Sequence, residues 1–415
     1  MVLQVASEIG RLRRVLVHRP GPEIDHMVPA MMERLLFDDI LYGQRARKEH
    51  DSFAQVLHAA GVETLDPQDL LVDVLGDAAS REQLLARLGE RGASSELLRQ
   101  LGELEPTALA ASVVTGILST DGPPESFYLL DPIPNYFFQR DPQVVFGDRV
   151  LMSSMATDAR DREPLLSRTI FEQHPALAGA ADLFDLRSAG IGGRFWVPHL
   201  EGGDMLIPSA EVILVGLSER TNRRGIDTLA RYLRREETTF RNLIVVEIPP
   251  QRSYMHLDTV FTFIDHGLCL AYLPVIAAGG HEAGDVYRVD LNAPELAYTL
   301  CDSLTGALAG AGLEVELVPC GGADSLIDQQ REQWTDGANA FAIAPGVIAT
   351  YRRNRRTTEE LNRRGWRVVT AEDVISGREA LLDQGPTVVV LLDNELSRAR
   401  GGPRCMTMPL ERDPV

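Results

Sequence analysis

The sequence predicts an α/β fold in which five weakly similar units close into a pseudo-symmetric assembly, interrupted by one all-helical insertion. Three observations predict it. A strand–loop–helix–strand theme recurs five times along the 415 residues. The third and fifth copies share an apolar strand, a short stretch containing Arg-Thr or Arg-Arg-Thr, and a helix. One segment, from about Asp69 to Ile117, breaks the theme and carries helical periodicity alone.

The units follow in order. "RRVLVHRPG" leads to the helical "RARKEHDSFAQVLHAAG" and the strand-like "VETL". "RVLMSSMATDARDREPLLSRTIFEQHP" leads to "DLFDL", and "EVILVGLSERTNRRGIDTLARYLRR" leads to "NLIVVEIP". "GLCLAYLPVI" leads, after a longer loop, to "APELAYTLCDSLTGALAGAG", predicted as a helix, and then "LEVELVP". "GVIATYRRNRRTTEELNRRG" leads to "WRVVTAED". Each helix has apolar residues at three- and four-residue spacing, and most end in Gly or Asn before a β-rich run.

The segment that breaks the theme is rich in Leu, Ala, Glu and Arg and nearly free of aromatics, which predicts an inserted helical bundle. "STDGPPESFYLLDPIPN", rich in Pro and Gly, returns the chain to the main body. The expected division is a catalytic domain of 1–68 and 119–415 with an inserted helical domain of 69–118.

Composition narrows the function classes. Apolar residues are 44% and charged residues 24%, ordinary for a globular protein. Apolar runs such as "TVVVLLD" are far too short to span a bilayer, so no membrane partner is expected. The net charge of −19 repels phosphate backbones and argues against nucleic acid as a partner. The four cysteines, Cys269, Cys301, Cys320 and Cys405, form no Cys-x-x-Cys pair, so neither a zinc cage nor a disulfide framework is indicated. The N-terminus lacks an apolar run behind a basic start, and a cytoplasmic location is expected.

Compact polar motifs sit ahead of the later strands: "NYFFQRDP", "LEGGDMLI", "MHLDTVFTFID", "WTDGANAFAIAPG" and "RGGPRCMTMPL". In a pseudo-symmetric assembly such stretches converge on a central axis. In a strand, His256 and Asp258 would face the same way and share one surface. Alone, that pair reads more simply as solvent-facing residues of an edge strand. A zinc or iron site is a further alternative, weakened because no other His lies nearby in sequence on that face. Glu201 and Asp204 flank two glycines that permit a bend or a close backbone approach; a tight acidic surface turn has the same signature. Pro142 favours an extended Asp141. A lone Cys405 is most simply a small packing residue. Taken together, one thiol, one imidazole, several carboxylates and loop arginines form a set. A thiol beside an imidazole suits nucleophilic catalysis. Paired carboxylates suit a guanidinium, and arginines suit a carboxylate on the same substrate. The inventory points to an arginine-like small molecule.

Here the sequence resembles the bacterial arginine deiminases of the guanidine-modifying superfamily. "VLVHRPG", "ERLLFDDI", "KEHDSFAQVL", "LEGGDML", "SERTN", "MHLDTVFTFID", "DGANAFAIAPGV" and "RGGPRCMTMPL" carry the resemblance, nearly end to end. It implies a pseudo-fivefold α/β propeller of ββαβ-type repeats with a helical insertion, and hydrolysis of L-arginine to L-citrulline and ammonia with neither metal nor organic cofactor. It further implies that Cys405 attacks the guanidinium carbon and that Asp141 and Asp258 hold its nitrogens. His256 would protonate the departing ammonia and then activate water, oriented by Glu201. Asn135, Arg160 and Arg220 match positions that bind the substrate carboxylate. Arg400 matches a mobile arginine near the nucleophile, and Asp204 a supporting residue. Ala399 and Gln139 depart from the common pattern, where glycine and threonine are frequent; both bear on side-chain tolerance and affinity more than on the reaction. A homo-oligomer is expected. Action on a modified arginine, amidino transfer to an amine, and a catalytically silent arginine-binding protein are the alternatives; the set of Cys405, His256, Glu201, Asp141 and Asp258 argues against the last.

Overall fold

A computed structural model describes residues 2–119, 127–180, 182–189, 197–236 and 238–415. The chain forms a mixed α/β fold in which five sheets share one three-strand core: a middle strand antiparallel to one neighbour and parallel to the other. Leu12–Leu16 lies between antiparallel Met408–Arg412 and parallel Glu63–Leu65. Arg149–Met152 lies in the same way between Gln143–Phe146 and Asp182–Asp185. Val212–Leu217 lies between Met205–Ser209 and Asn242–Glu247. Leu268–Ala271 lies between Phe261–Asp265 and Glu316–Pro319. Val347–Tyr351 lies between Phe341–Ala344 and Thr387–Leu391.

A parallel pair cannot be joined by a tight turn and needs a crossover. The helices Gly43–Ala59, Arg162–Gln173 and Arg223–Arg235 supply it in the first three sheets. In the third, Asn222 caps the helix by accepting from the Gly225 amide.

Two units depart from the pattern read in the sequence. In the fourth, "APELAYTLCDSLTGALAGAG" is not one helix. Tyr298–Cys301 is a strand antiparallel to Val286–Asp290, and only Leu304–Ala309 is helical. Val286–Asp290 in turn extends the third sheet beside Asn242–Glu247. An open sheet edge gave these backbone groups partners, and the aromatic and β-branched residues of "YTLC" suit a pleated surface. In the fifth, "WRVVTAED" does not pair with Val347–Tyr351. Thr387–Leu391, buried throughout, takes that place, and the partly exposed Arg367–Thr370 lies outside it as the edge. The run with the most apolar surface to bury occupies the position with two neighbours.

Between the first and second sheets lie the helices Pro67–Leu75, Ala78–Glu90, Ser95–Gly102 and Pro106–Thr115. Asp66, Asp77 and Ser94 accept hydrogen bonds from the first turns of the first three. Leu71, Leu84, Leu101 and Leu109 share an apolar core with Leu166 and Ile170 of the crossover helix over the second sheet. The Pro- and Gly-rich link predicted after this segment lies largely outside the described residues, at 120–126. Among the described residues, no helix is long and apolar enough to cross a membrane.

The antiparallel member of each sheet positions the chemistry. Asp141 precedes Gln143–Phe146 by way of Pro142, and Asp204 directly precedes Met205–Ser209. His256 and Asp258 precede Phe261–Asp265, and Asn339 precedes Phe341–Ala344. Cys405 precedes Met408–Arg412. All five strands are therefore entered from a polar loop.

Candidate active site

His256 and Asp258 reach the site from a turn, not from a strand. His256 is extended and caps the short 3-10 helix Leu257–Thr259, which contains Asp258. The Thr259 hydroxyl donates to the His256 carbonyl at 2.6 Å and tightens that turn. The imidazole Nε2 lies 2.9 Å from Glu201 Oε2, and Nδ1 lies 3.7 Å from Asp141 Oδ1. Burial by itself disfavours the imidazolium. The Asp141 charge, the hydrogen bond to Glu201 and the Asp204 charge outweigh it and raise His256 to about 9. Burial also opposes the Glu201 carboxylate, yet the hydrogen bond to His256 and the nearby Arg220 hold it down to about 2. The two therefore form a buried ion pair at neutral pH.

The glycines of "EGGD" allow this contact. A Cβ on Gly203 would stand 2.5 Å from His256 Nδ1, and one on Gly202 would stand 2.0 Å from the Arg140 carbonyl oxygen. Asp204 accepts from the Ser218 hydroxyl at 2.6 Å and the Leu257 amide at 2.8 Å. Ser218 Oγ in turn accepts from the amides of Arg220 and Thr221. Asp204 thus braces the Arg220 loop against the His256 turn from behind. Burial raises its carboxyl to about 6.

Cys405 Sγ lies 3.7 and 4.0 Å from the two carboxylate oxygens of Asp258. Arg404 Nη1 donates to Asp258 Oδ2 at 2.7 Å. Burial and the charges of Asp258, Asp141 and Asp336 push the Cys405 thiol well above its usual range. The other three cysteines are free, and burial also raises the buried Cys269 and Cys320. What sets Cys405 apart is its surroundings, since it lines a cavity with His256 and Asp141 whose lining includes neither Cys269 nor Cys320.

Cys405, His256, Asp141, Asn135, Arg160, Arg220 and Arg400 line one cavity of about 30 Å³. Glu201, Asp204 and Asp258 stand behind this lining. Asn135 donates to the Leu35 carbonyl at 2.8 Å. Arg160 is fully engaged: Nη1 donates to Asp141 Oδ2 and Nη2 to Glu163 Oε2, both at 2.7 Å. Arg220 Nε and Arg400 Nε and Nη1 are buried without a hydrogen-bond partner among the described residues. Arg400 has a left-handed backbone, φ 64, and its guanidinium lies 3.4 Å over the Trp334 ring. Sequence reasoning did not single out Glu163, Trp334 or Asn339. Glu163 stands three residues after Arg160 on the start of a helix, a spacing that signals an ion pair. Nothing local in "QREQWTDGAN" pairs Trp334 with a residue over sixty positions away.

Asp141, Glu201 and His256 offer potential metal-ligand atoms within 4.8 Å of one another. The donor set fits a metal poorly. His256 and Glu201 already share a hydrogen bond, and the Arg160 guanidinium sits on Asp141, so an incoming cation would meet a resident one. The arrangement suits proton transfer beside a thiol and recognition of a planar cation.

Comparison with known proteins agrees with the geometry. The arginine deiminase family model matches residues 33–412. An arginine deiminase of Clostridium perfringens is 36% identical, covering 99% of this chain and 98% of its own. One of Treponema denticola is 35% identical, covering 100% and 99%. Among solved structures, SxtG, an amidinotransferase of Microseira wollei from a saxitoxin biosynthetic pathway, superposes with a TM-score of 0.53 at 15% identity over 100% of this chain and 98% of its own. The product-bound N-terminal domain of ArgZ, a cyanobacterial arginine dihydrolase, superposes with a TM-score of 0.52 at 14% identity over 96% and 97%. These two likenesses extend to the fold. The family model and the full-length relatives settle the rest: the chain belongs to the arginine deiminase family.

Proposed function

We propose that the protein hydrolyses L-arginine to L-citrulline and ammonia, with Cys405 as the nucleophile. One observation carries this reading: a thiol, an imidazole held by Glu201 and the Asp141 carboxylate line one cavity, and the Asp258 carboxylate lies 3.7 Å from that thiol behind the lining. Asp141 and Asp258 accept the N–H groups of the guanidinium and aim its carbon at Sγ. The bound cation offsets the burial and negative charge that keep the resting thiol protonated, so substrate helps to form the thiolate, whose proton leaves to water because His256 is already charged. The thiolate adds to the guanidinium carbon. His256 gives its proton to the departing nitrogen, the C–N bond breaks, and ammonia leaves a cationic S-alkylthiouronium. Neutral His256 then takes a proton from water as the water oxygen attacks the same carbon. The C–S bond breaks, its electrons return to sulfur, the remaining proton of the attacking water passes to that sulfur and restores the thiol, and citrulline departs.

A cavity of about 30 Å³ is the size of one water and cannot hold arginine. Substrate entry therefore requires side chains to move. Arg160 is one candidate, turning from Asp141 to the substrate carboxylate while Glu163 keeps hold of it. Arg400 is the other, leaving the Trp334 face. Asn135 and Arg220 complete the carboxylate site in this reading, and Asp204 supports it.

The wider reading is a pseudo-fivefold α/β propeller, supported by five sheets with the same three-strand pairing and by the polar loop ahead of each. It keeps 1–68 and 119–415 as the catalytic domain and 69–118 as the helical insertion. Four free cysteines fit a reducing compartment, the cytoplasm. The test is direct: purified protein with arginine should release citrulline and ammonia in equal amounts, and Cys405→Ser should release neither while keeping the native circular dichroism spectrum. Citrulline from Cys405→Ser at the wild-type rate would remove the thiol from the mechanism.

A further inference from the structure

Asn339 lies in the turn between the helix Leu326–Trp334 and the strand Phe341–Ala344. It is wholly buried, does not line the cavity, and belongs to neither loop that carries the thiol or the imidazole. Its side chain nevertheless binds the backbone of both. Oδ1 accepts from the amides of Arg404 and Cys405, each at 3.1 Å. Nδ2 donates to the Asp258 carbonyl at 3.0 Å. The donor and acceptor ends are fixed by these partners, because the flipped amide would set N–H against N–H and oxygen against oxygen.

The same contact explains the second glycine of "RGGPRC". A Cβ on Gly402 would stand 2.6 Å from Asn339 Oδ1. The turn itself is braced: the Asn339 amide donates to the Asp336 carbonyl, and the Thr262 hydroxyl donates to the Ala338 carbonyl at 2.7 Å. On its other side, the Cys405 carbonyl accepts from the Arg140 amide at 3.0 Å.

We propose that Asn339 is a positioning residue that sets the distance between the nucleophile Cys405 and the guanidinium-holding Asp258. The inference rests on the proposed arginine hydrolysis. Attack on a carbon held by Asp258 requires sulfur within about 3–3.5 Å of that carbon, and a misplacement of about 1 Å costs on the order of a hundredfold in rate. One amide bound to both main chains fixes that spacing without touching substrate. A serine at 339 is too short to bridge them. An aspartate keeps an acceptor for the two amides but cannot donate to the Asp258 carbonyl, and it adds a buried anion near the thiol.

The experiment compares wild type, Asn339→Ser and Asn339→Asp in steady-state turnover. It also compares arginine binding by calorimetry in Cys405→Ser and Cys405→Ser/Asn339→Ser. The expected result is a fall in kcat of about 10- to 100-fold with little change in KM or in calorimetric affinity. Mass spectrometry of quenched single turnovers should show slower formation of the Cys405 adduct. An unchanged kcat in both variants overturns the proposal. So does loss of binding in the double variant in step with loss of kcat, or recovery of both variants only as unfolded protein, since either assigns Asn339 to the fold. Wild type in the same assay separates the two readings: if wild type forms no citrulline, arginine hydrolysis fails; if wild type is active and the variants match it, only the Asn339 assignment fails.

Discussion

At the scale of single residues, the site inverts the usual protonation of its imidazole and reinforces that of its thiol. A free imidazole near pKa 6.5 is mostly neutral at pH 7.5; His256, raised to about 9, is mostly charged there. The thiol is held neutral by burial and by the charges of Asp258, Asp141 and Asp336, of which Asp141 also charges the imidazole. Ammonia release needs protonated His256, so kcat should fall as pH rises through about 9. The sign for stability is the same: a raised folded-state pKa gives His256 a stabilising effect that is full below its unfolded value of about 6.5 and is lost as pH climbs through the folded one. Glu201, lowered to about 2, runs the other way, and its stabilisation is lost only as pH falls toward that value. A neutral thiol should also react slowly with iodoacetamide at pH 7, while an amidine-bearing alkylating reagent of similar size reacts faster because its cation docks between Asp141 and Asp258. Fast alkylation by iodoacetamide, indifferent to reagent charge, would point to a preformed thiolate. The residues of this set were legible in the sequence by type: a thiol, an imidazole and three carboxylates in short motifs. Their states were not, because a pKa depends on burial and on charges brought from distant segments.

At the scale of elements, each catalytic side chain sits in the loop that enters an antiparallel strand, and glycines decide how closely the loops approach. Gly203 is the clearest case, with His256 Nδ1 at 2.5 Å from where a Cβ would stand. Gly203→Ala must push the imidazole ring away or shift the strand Met205–Ser209. The expected outcome is a fall in kcat of about a hundredfold, the scale set by a displacement of about 1 Å, with a smaller change in thermal midpoint. A wild-type kcat for this variant would show that the ring relocates without cost. The strand alternation expected for His256 and Asp258 does not exist, since both lie in a 3-10 turn ahead of Phe261–Asp265. Turn and strand share the same short apolar signature, and only the hydrogen bonds of the folded chain separate them. The fourth-unit helix misled for a related reason: "YTLC" could follow helical spacing, but a free sheet edge was available to it.

For the whole molecule, one buried arginine joins the far ends of the chain. Arg404, 1% exposed, donates from Nε and Nη2 to the two Glu8 oxygens at 3.1 Å, from Nη1 to Asp258 at 2.7 Å, and from Nη2 to the Met205 carbonyl at 3.0 Å. Glu8 also accepts from the Ile207 amide at 3.0 Å. Burial opposes the Glu8 charge, but Arg404 and Arg140 together bring it down to about 2. Removing one partner of such a network leaves an uncompensated buried charge, which costs about 3–5 kcal/mol. Glu8→Ala should therefore lower the unfolding free energy by about that amount, measured in denaturant, although Glu8 does not line the cavity. An unchanged denaturation midpoint would mean that water or a rearranged carboxylate takes over the role of Glu8.

The sequence by itself determined the alternation of strands and helices, the helical character of 69–115 (Ile117–Leu118, expected in the same insertion, is a strand), and the chemical inventory of the site. These are local properties: side-chain type and apolar spacing act over a few residues, and motifs such as "LEGGDML" and "RGGPRCMTMPL" keep their order in any fold. Tertiary structure alone decided that Arg160 rests on Asp141, that Arg400 lies on Trp334, that Arg404 bridges Glu8 and Asp258, and that Asn339 ties the thiol loop to the Asp258 turn. Except for Arg160 and Asp141, nineteen positions apart, these partners lie more than sixty positions apart. Whether two such groups meet depends on how the sheets pack against each other, and the electrostatic state of each group depends on the meeting.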